Sequence, residues 1–170
     1  MAANLYLLGP GSPFIYYGEE LGMRGARGPE NTDANRRLAM PWGDGDTVRN
    51  PAGSTWGESV DADAAAQRKD PDSLYNYYKK LLLIRRANPE IARGVYRAVR
   101  IPDGCLSGFT ALWGGSAVCV LHNVGDTEVT VDLRELGMGW TVLRAAAGMN
   151  GARLEGTILT VGAKTSVVLK

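Results

Sequence analysis

Residues 70–90, DPDSLYNYYKKLLLIRRANPE, constrain the fold more than any other stretch, because they carry a full set of helix signals. Asp70 suits the N-cap, Pro71 the first helical position, and Asp72 sets negative charge near the positive end of the helix dipole. Arg85 and Arg86 complement the other end, and Pro89 stops the helix at about Asn88. Leu74, Tyr78, Leu81, Leu82 and Arg85 follow one face, yet the apolar run from Leu81 to Ile84 wraps farther round than one stripe. Such a helix needs apolar surface on two sides, so it is expected to pack against two bodies. Tyr75, Tyr77 and Tyr78 on it read as packing residues between them.

The helix also divides the chain into two kinds of sequence. Upstream, residues 5–18 are apolar and end in PFIYYG, a short run bounded by Gly and Pro that reads as a buried strand at Phe14–Tyr17, of the kind found in parallel sheets. From Arg24 to about Lys69 neither a helical nor a strand period persists. A loop that long inside a domain is usually functional or disordered, and Trp42 and Trp56 argue for packing on a scaffold. Downstream of Gly94, Val129, Val131 and Leu133 alternate with Glu128, Thr130 and Asp132, the period of a strand with one buried face. Similar runs at 96–101, 108–113, 117–122, 141–144, 157–161 and 166–169 are separated by glycine-rich turns, which predicts an antiparallel sandwich of about six or seven strands.

Composition limits the partners. The 170 residues are 45% hydrophobic, and nineteen Lys and Arg nearly cancel eighteen Asp and Glu. That is enough apolar content for a core, and no net field points to nucleic acid or a membrane surface. Glycine and proline interrupt the uncharged first eighteen residues, so they are not expected to span a bilayer; MAANLYLLGP lacks the basic start of a secretory signal, which leaves export undecided because a signal would stand upstream in a longer parent chain. With a two-residue turn at Gly114–Gly115, Cys119 falls opposite Thr110 and away from Cys105, which predicts two buried thiols and no disulfide. His122 is the only histidine, so zinc clusters and Ser-His-Asp relays have little support; it reads as a strand residue satisfied by neighbouring backbone. No phosphate-binding glycine loop or zinc-spaced cysteine pair is present, and no cofactor or metal is indicated.

Three words of the sequence then stand in a telling order: GSPFIYYGEELGM, DANRRLAMPW and the capped helix. In that order, followed by a β-rich end, the chain resembles the C-terminal third of the α-amylase family, glycoside hydrolase family 13. The first word resembles the eighth barrel strand and its turn, the second the Arg-x-Pro-Met-x-Trp stretch with Ala39 where proline is common, and the third the closing barrel helix. The resemblance implies an α+β fragment: residues 1–94 as the incomplete end of a (β/α)8 catalytic barrel, and residues 95–170 as its C-terminal β-sandwich. It implies α-glucosidic chemistry with retention, performed by an aspartate nucleophile, a glutamic acid/base and a second aspartate. All three would precede residue 1, so no catalytic residue is expected in this chain and the isolated fragment is expected to be inactive.

Glu19 and Glu20 do not replace them. Retaining chemistry needs two carboxyl groups facing each other about 5 Å apart, whereas adjacent residues point to opposite faces of a strand or splay apart in a turn. They are expected to be structural, one of them hydrogen-bonding backbone at the strand's end. Family members carry an aspartate and an arginine four apart in the loop after the eighth strand, and Asp33 and Arg37 match that spacing; the resemblance makes them binding residues for a donor-side glucose. A carboxylate supplies acceptors and a guanidinium a rigid fork of donors for sugar hydroxyls. From the residues alone, an ion pair within the loop is the alternative. The expected ligand is an α-glucan or maltooligosaccharide, and a barrel strand without its partners is expected to favour self-association. Transglycosylases share these motifs. A second class of function, a non-catalytic sandwich module that docks glucan or protein, is left open by the absent carboxylates.

Overall fold

A computed structural model describes residues 1–27, 33–56, 60–102 and 104–170. They fall into two units, Met1–Pro13 with Lys80–Lys170, and Phe14–Lys79. Among the described residues no helix is long and apolar enough to cross a membrane.

Among the described residues the first unit has eight strands. Strands β1 (Val95–Arg100), β2 (Leu106–Trp113), β3 (Ser116–Asn123), β5 (Leu143–Ala147) and β8 (Thr165–Leu169) form a sheet in the order β1-β2-β3-β8-β5; β4 (Val129–Asp132), β6 (Ala152–Glu155) and β7 (Ile158–Val161) form a second in the order β4-β7-β6. All pairings are antiparallel. The expected register holds: Gly114 and Gly115 both adopt positive φ, as a type I′ turn requires, and Thr110 pairs with Cys119. Leu106, Cys119, Leu121, Val167 and Leu169 from the larger sheet share one core with Val129, Leu159 and Val161 from the smaller. By alternation Val118, Val120 and Val168 point to the opposite face, and they too are buried. The continuous apolar runs of β3 and β8 are therefore those of strands covered on both sides.

That second face carries helices. Helix α4 (Glu90–Arg93) packs on β2 and β3. Helix α1 (Ala2–Leu7) is tied down by buried Asn4, whose Nδ2 donates to the Ala147 carbonyl at 2.9 Å and to Ser166 Oγ at 3.0 Å. Ser166 Oγ in turn lies 2.7 Å from His122 Nδ1. His122 is thus satisfied by a side-chain hydroxyl and not by backbone, and burial pushes its pKa down to about 4. Arg85 closes the end of α1: its guanidinium donates to the carbonyls of Leu7 (2.8 Å), Gly9 (2.7 Å) and Gly11. Removing that charge from water lowers the Arg85 pKa. Glu90 is buried and pairs with Lys170 at 3.0 Å.

Several expectations change. Phe14–Tyr17 is not a strand; it runs as irregular backbone, with Phe14 83% exposed. A strand exists only through hydrogen bonds to neighbours, and among the described residues no strand pairs with it. The long helix, α3 (Leu74–Ala87), begins four residues after Asp70. Ser73 Oγ caps it by accepting from the Asn76 N–H at 3.2 Å, while Asp70 Oδ1 accepts from the Asp72 N–H and turns the chain. On α3, Tyr78, Leu81 and Arg85 are buried, but Leu82 and Leu83 are 40% and 56% exposed, so the second apolar side lies open to solvent. Cys105 is exposed in the turn before β2, not buried; Cys119 is buried, its pKa pushed up to about 12, and the two form no disulfide.

Candidate functional site

The site expected from sequence lies in the second unit, on the segment after Tyr17. Gly18 adopts φ 86°, a bend in the left-handed region that favours glycine, and a Cβ there would press on the Met23 side chain. The bend starts a single 3₁₀ turn, Glu19–Leu21. Glu19 is exposed and Glu20 half-buried, and both lie in this turn, with no strand at Phe14–Tyr17 for either to cap. Glu20 Oε2 is buried with no hydrogen-bond partner among the described residues.

Asp33 precedes a second 3₁₀ turn, Ala34–Arg36. The four-residue spacing brings Arg37 Nη2 to Asp33 Oδ2 at 2.6 Å, and Arg36 Nη1 approaches the same carboxylate at 3.7 Å. All three side chains are at least half exposed, so the contact is a solvent-exposed ion pair within the loop, the arrangement the residues alone left as the alternative to sugar binding. Beside it is an open cleft of about 210 Å³ whose lining includes Tyr16, Tyr17, Glu19, Arg24, Arg36 and Leu38. The Tyr16 and Tyr17 rings meet at 4.8 Å, and Tyr17 Oη donates to the Leu38 carbonyl at 3.0 Å. Burial and the neighbouring Tyr16 phenol raise the Tyr17 pKa, while Arg37 opposes them.

The residue that organises this region is one the sequence did not single out. Asn35 is buried; its Oδ1 accepts from the N–H groups of Thr55 (2.7 Å) and Trp56 (3.2 Å), and its Nδ2 donates to Thr55 Oγ1 at 2.9 Å. It therefore holds Thr55 and Trp56 against the turn that carries Asp33 and Arg37. Nothing in the spacing of DANRR marks the asparagine, because its partners are twenty residues away. Ala39 shows a second substitution for sequence-local rigidity: its N–H donates to Asn50 Oδ1 at 2.9 Å, a bond that a proline at this position has no hydrogen to make.

Trp42 and Trp56 do not pack as expected. They are 55% and 40% exposed, and neither lines the cleft. Their backbones are what is held: Trp42 N–H donates to Asp46 Oδ2 at 3.0 Å, and the Trp42 carbonyl accepts from Ala65 N–H at 3.1 Å. Asp46 also accepts from Val48 N–H, and these two bonds lower its pKa. Asp63 caps helix α2 (Ala64–Lys69) through the Ala66 N–H at 2.7 Å. Among the described residues no group of three or more His, Cys, Asp or Glu could hold a metal ion.

Comparison with known proteins bears on what such a site belongs to. A family profile described as "Alpha amylase, catalytic domain" matches residues 1–94. Alpha-amylase 3 of Dictyoglomus thermophilum is 31% identical over 138 residues, covering 76% of this chain and 26% of that protein. A cyclomaltodextrinase of Thermoanaerobacter pseudethanolicus is 25% identical over 160 residues, covering 94% of this chain and 22% of that protein. In structure, Eubacterium rectale Amy13B superposes with a TM-score of 0.84 at 31% identity, over 99% of this chain and 33% of that one. The chain thus spans about a quarter of the length of the curated relatives it matches. With the profile match over more than half its length, the chain belongs to the α-amylase family, glycoside hydrolase family 13.

Proposed function

We propose that this chain is the C-terminal part of a glycoside hydrolase that cleaves α-glucosidic bonds of starch-type glucans with retention. In this reading residues 1–94 complete a (β/α)8 barrel and residues 95–170 are its C-terminal β-sandwich. Asp33 and Arg37 bind the donor-side sugar, and the three catalytic carboxylates stand on barrel strands outside residues 1–170.

The observation that carries the reading is the exposed Asp33–Arg37 pair, held at 2.6 Å beside the cleft. A neutral sugar presents adjacent hydroxyls, each both donor and acceptor. A carboxylate and a planar guanidinium fixed side by side satisfy both roles without reorganising. Family membership supports the substrate class. The exposed Phe14, Tyr16 and Tyr17 support the barrel assignment, since they offer apolar surface on which upstream strands, or a second copy of this chain, would pair.

The test is kinetic. The isolated chain, incubated with a chromogenic maltoside, should release no product. In a protein carrying the upstream barrel, Arg37→Ala should lower kcat/KM on maltooligosaccharides by about 10- to 100-fold, the loss of hydrogen bonds from a charged group. Turnover by the isolated chain that Glu19→Gln or Glu20→Gln abolishes overturns the assignment of the carboxylates; an unchanged kcat/KM in Arg37→Ala overturns the binding role.

A further inference from the structure

The inner face of the larger sheet runs on beyond the cover of the smaller one. Along β1, Val99 packs on the shared core, while Arg97 and Val95, on the same face by alternation, lie outside it, and Val95 is 73% exposed. Opposite them on β2 stand Thr110 and Leu112, the latter 55% exposed. On β3, Ala117 continues the face beyond fully buried Cys119. A cleft of about 340 Å³ opens there, and its lining includes Val95, Arg97, Thr110, Leu112, Ala117 and Trp140. Trp140, from the segment between β4 and β5, also packs on the core, so its indole is anchored as well as presented.

The chemistry of this lining is mixed in a definite way. One aromatic plate and several aliphatic side chains surround a guanidinium and a hydroxyl, with no carboxylate in the lining. Arg97 is exposed and makes no hydrogen bond or ion pair among the described residues. A purely apolar partner segment would cover that guanidinium and leave it desolvated without a partner, which is costly. A pyranose suits the cleft better, because it has an apolar C–H face for the indole and a rim of hydroxyls for Arg97 and Thr110. The volume lies near the small end of ligand pockets, about 300–1,000 Å³, which suits a short segment of a chain.

We propose that this cleft is a second carbohydrate site that takes a short α-glucan segment, with Trp140 as the stacking surface and Arg97 and Thr110 on the hydroxyls. The choice of an α-glucan rests on the function proposed above; the choice of a sugar rests on the lining. The site serves retention of the polymer and needs no catalytic group.

The experiment is a titration of the whole chain with maltoheptaose, followed in amide and indole N–H correlation spectra up to about 10 mM, the range for a weak single-sugar contact. Saturable shifts are expected at the Trp140 indole and at the amides of residues 95–97, 110–112 and 117. Arg97→Ala, an exposed site outside the core, should keep the spectrum and weaken binding by about tenfold, one charge-assisted hydrogen bond. No shift at these groups, or affinity unchanged in Arg97→Ala, overturns the proposal. A stronger response to hexanoate than to maltoheptaose overturns it too, by making the cleft a site for anionic amphiphiles. Cellohexaose separates the failures. Binding of cellohexaose without maltoheptaose removes the α-glucan reading and keeps a sugar cleft, whereas maltoheptaose shifts confined to residues 33–37 remove the cleft and keep that reading.

Discussion

The unit of sheets and the unit of loops are ordered by different forces. The first hides Leu106, Leu121, Leu133, Leu159, Val167 and Leu169 completely. Its order is spread over many apolar contacts, and no one residue carries it. In Phe14–Lys79 the buried apolar side chains among the described residues are Leu21, Leu38, Ala64 and Tyr78. Order there passes through single polar hubs. Asn35 holds Thr55 and Trp56. Gln67 Nε2 donates to the carbonyls of Leu21 (2.8 Å) and Ala62 (3.0 Å), and its Oε1 accepts from Tyr75 N–H at 3.2 Å. A loop segment that leaves Asp33 and Arg37 in solvent has little surface to bury, so side-chain amides take over the role of a core.

The contrast can be broken most strongly in the sheets. Leu121→Ala empties a fully buried site and should cost about 2–5 kcal/mol, read from guanidinium unfolding. Amide protection at residues 119–123 and 165–169 should fall while the Thr55 and Trp56 amides keep theirs. A loss that spreads equally to residues 54–56 would show that the two units share one source of order.

Acid offers a second probe. His122 titrates at about 4 in the folded chain against 6.5 for an ordinary imidazole. The unfolded state therefore binds the proton first, so stability is full above pH 6.5, falls as the pH drops towards about 4, and levels off below. The loss is up to about 3 kcal/mol for a group this buried. His122→Gln should flatten that part of the profile. The variant fails the idea if its stability still declines between pH 6.5 and 4 as steeply as the parent chain's.

Gln67→Ala should have the smallest effect on the whole and the sharpest local one. Three hydrogen bonds end on that side chain, and leaving their partners unsatisfied should cost about 1–3 kcal/mol. Hydrogen exchange at the Tyr75 amide should speed up, with β3 and β8 unchanged. Unchanged exchange at Tyr75 would return the loop unit to ordering by its few apolar contacts.

How much of this was legible follows from where each partner lies in the chain. The Gly114–Gly115 turn set the Thr110–Cys119 register because a hairpin's register is local. The Asp33–Arg37 contact was legible for the same reason, four residues along one turn. Strand β6 was not, because ARLE lacks the β-branched and aromatic residues that mark a strand and pairs only through β7. The start of α3 was misplaced because Asp70 and Ser73 are both good caps, and Asp70 was already used to turn the chain. Phe14–Tyr17 reads as a strand by composition and is none here, since pairing is not a property of a segment alone.

The sequence by itself determined the family, the two kinds of segment and the antiparallel β-rich end, because those depend on local words, caps and period. Only the tertiary structure decided which amides replace a core around residues 33–37, that His122 faces Ser166, and that Val95, Arg97, Thr110 and Trp140 line one cleft. Each of those joins residues far apart in the chain. Hydrogen-bond partners and cavity walls are set by geometry across such distances, and neither propensity nor spacing encodes them.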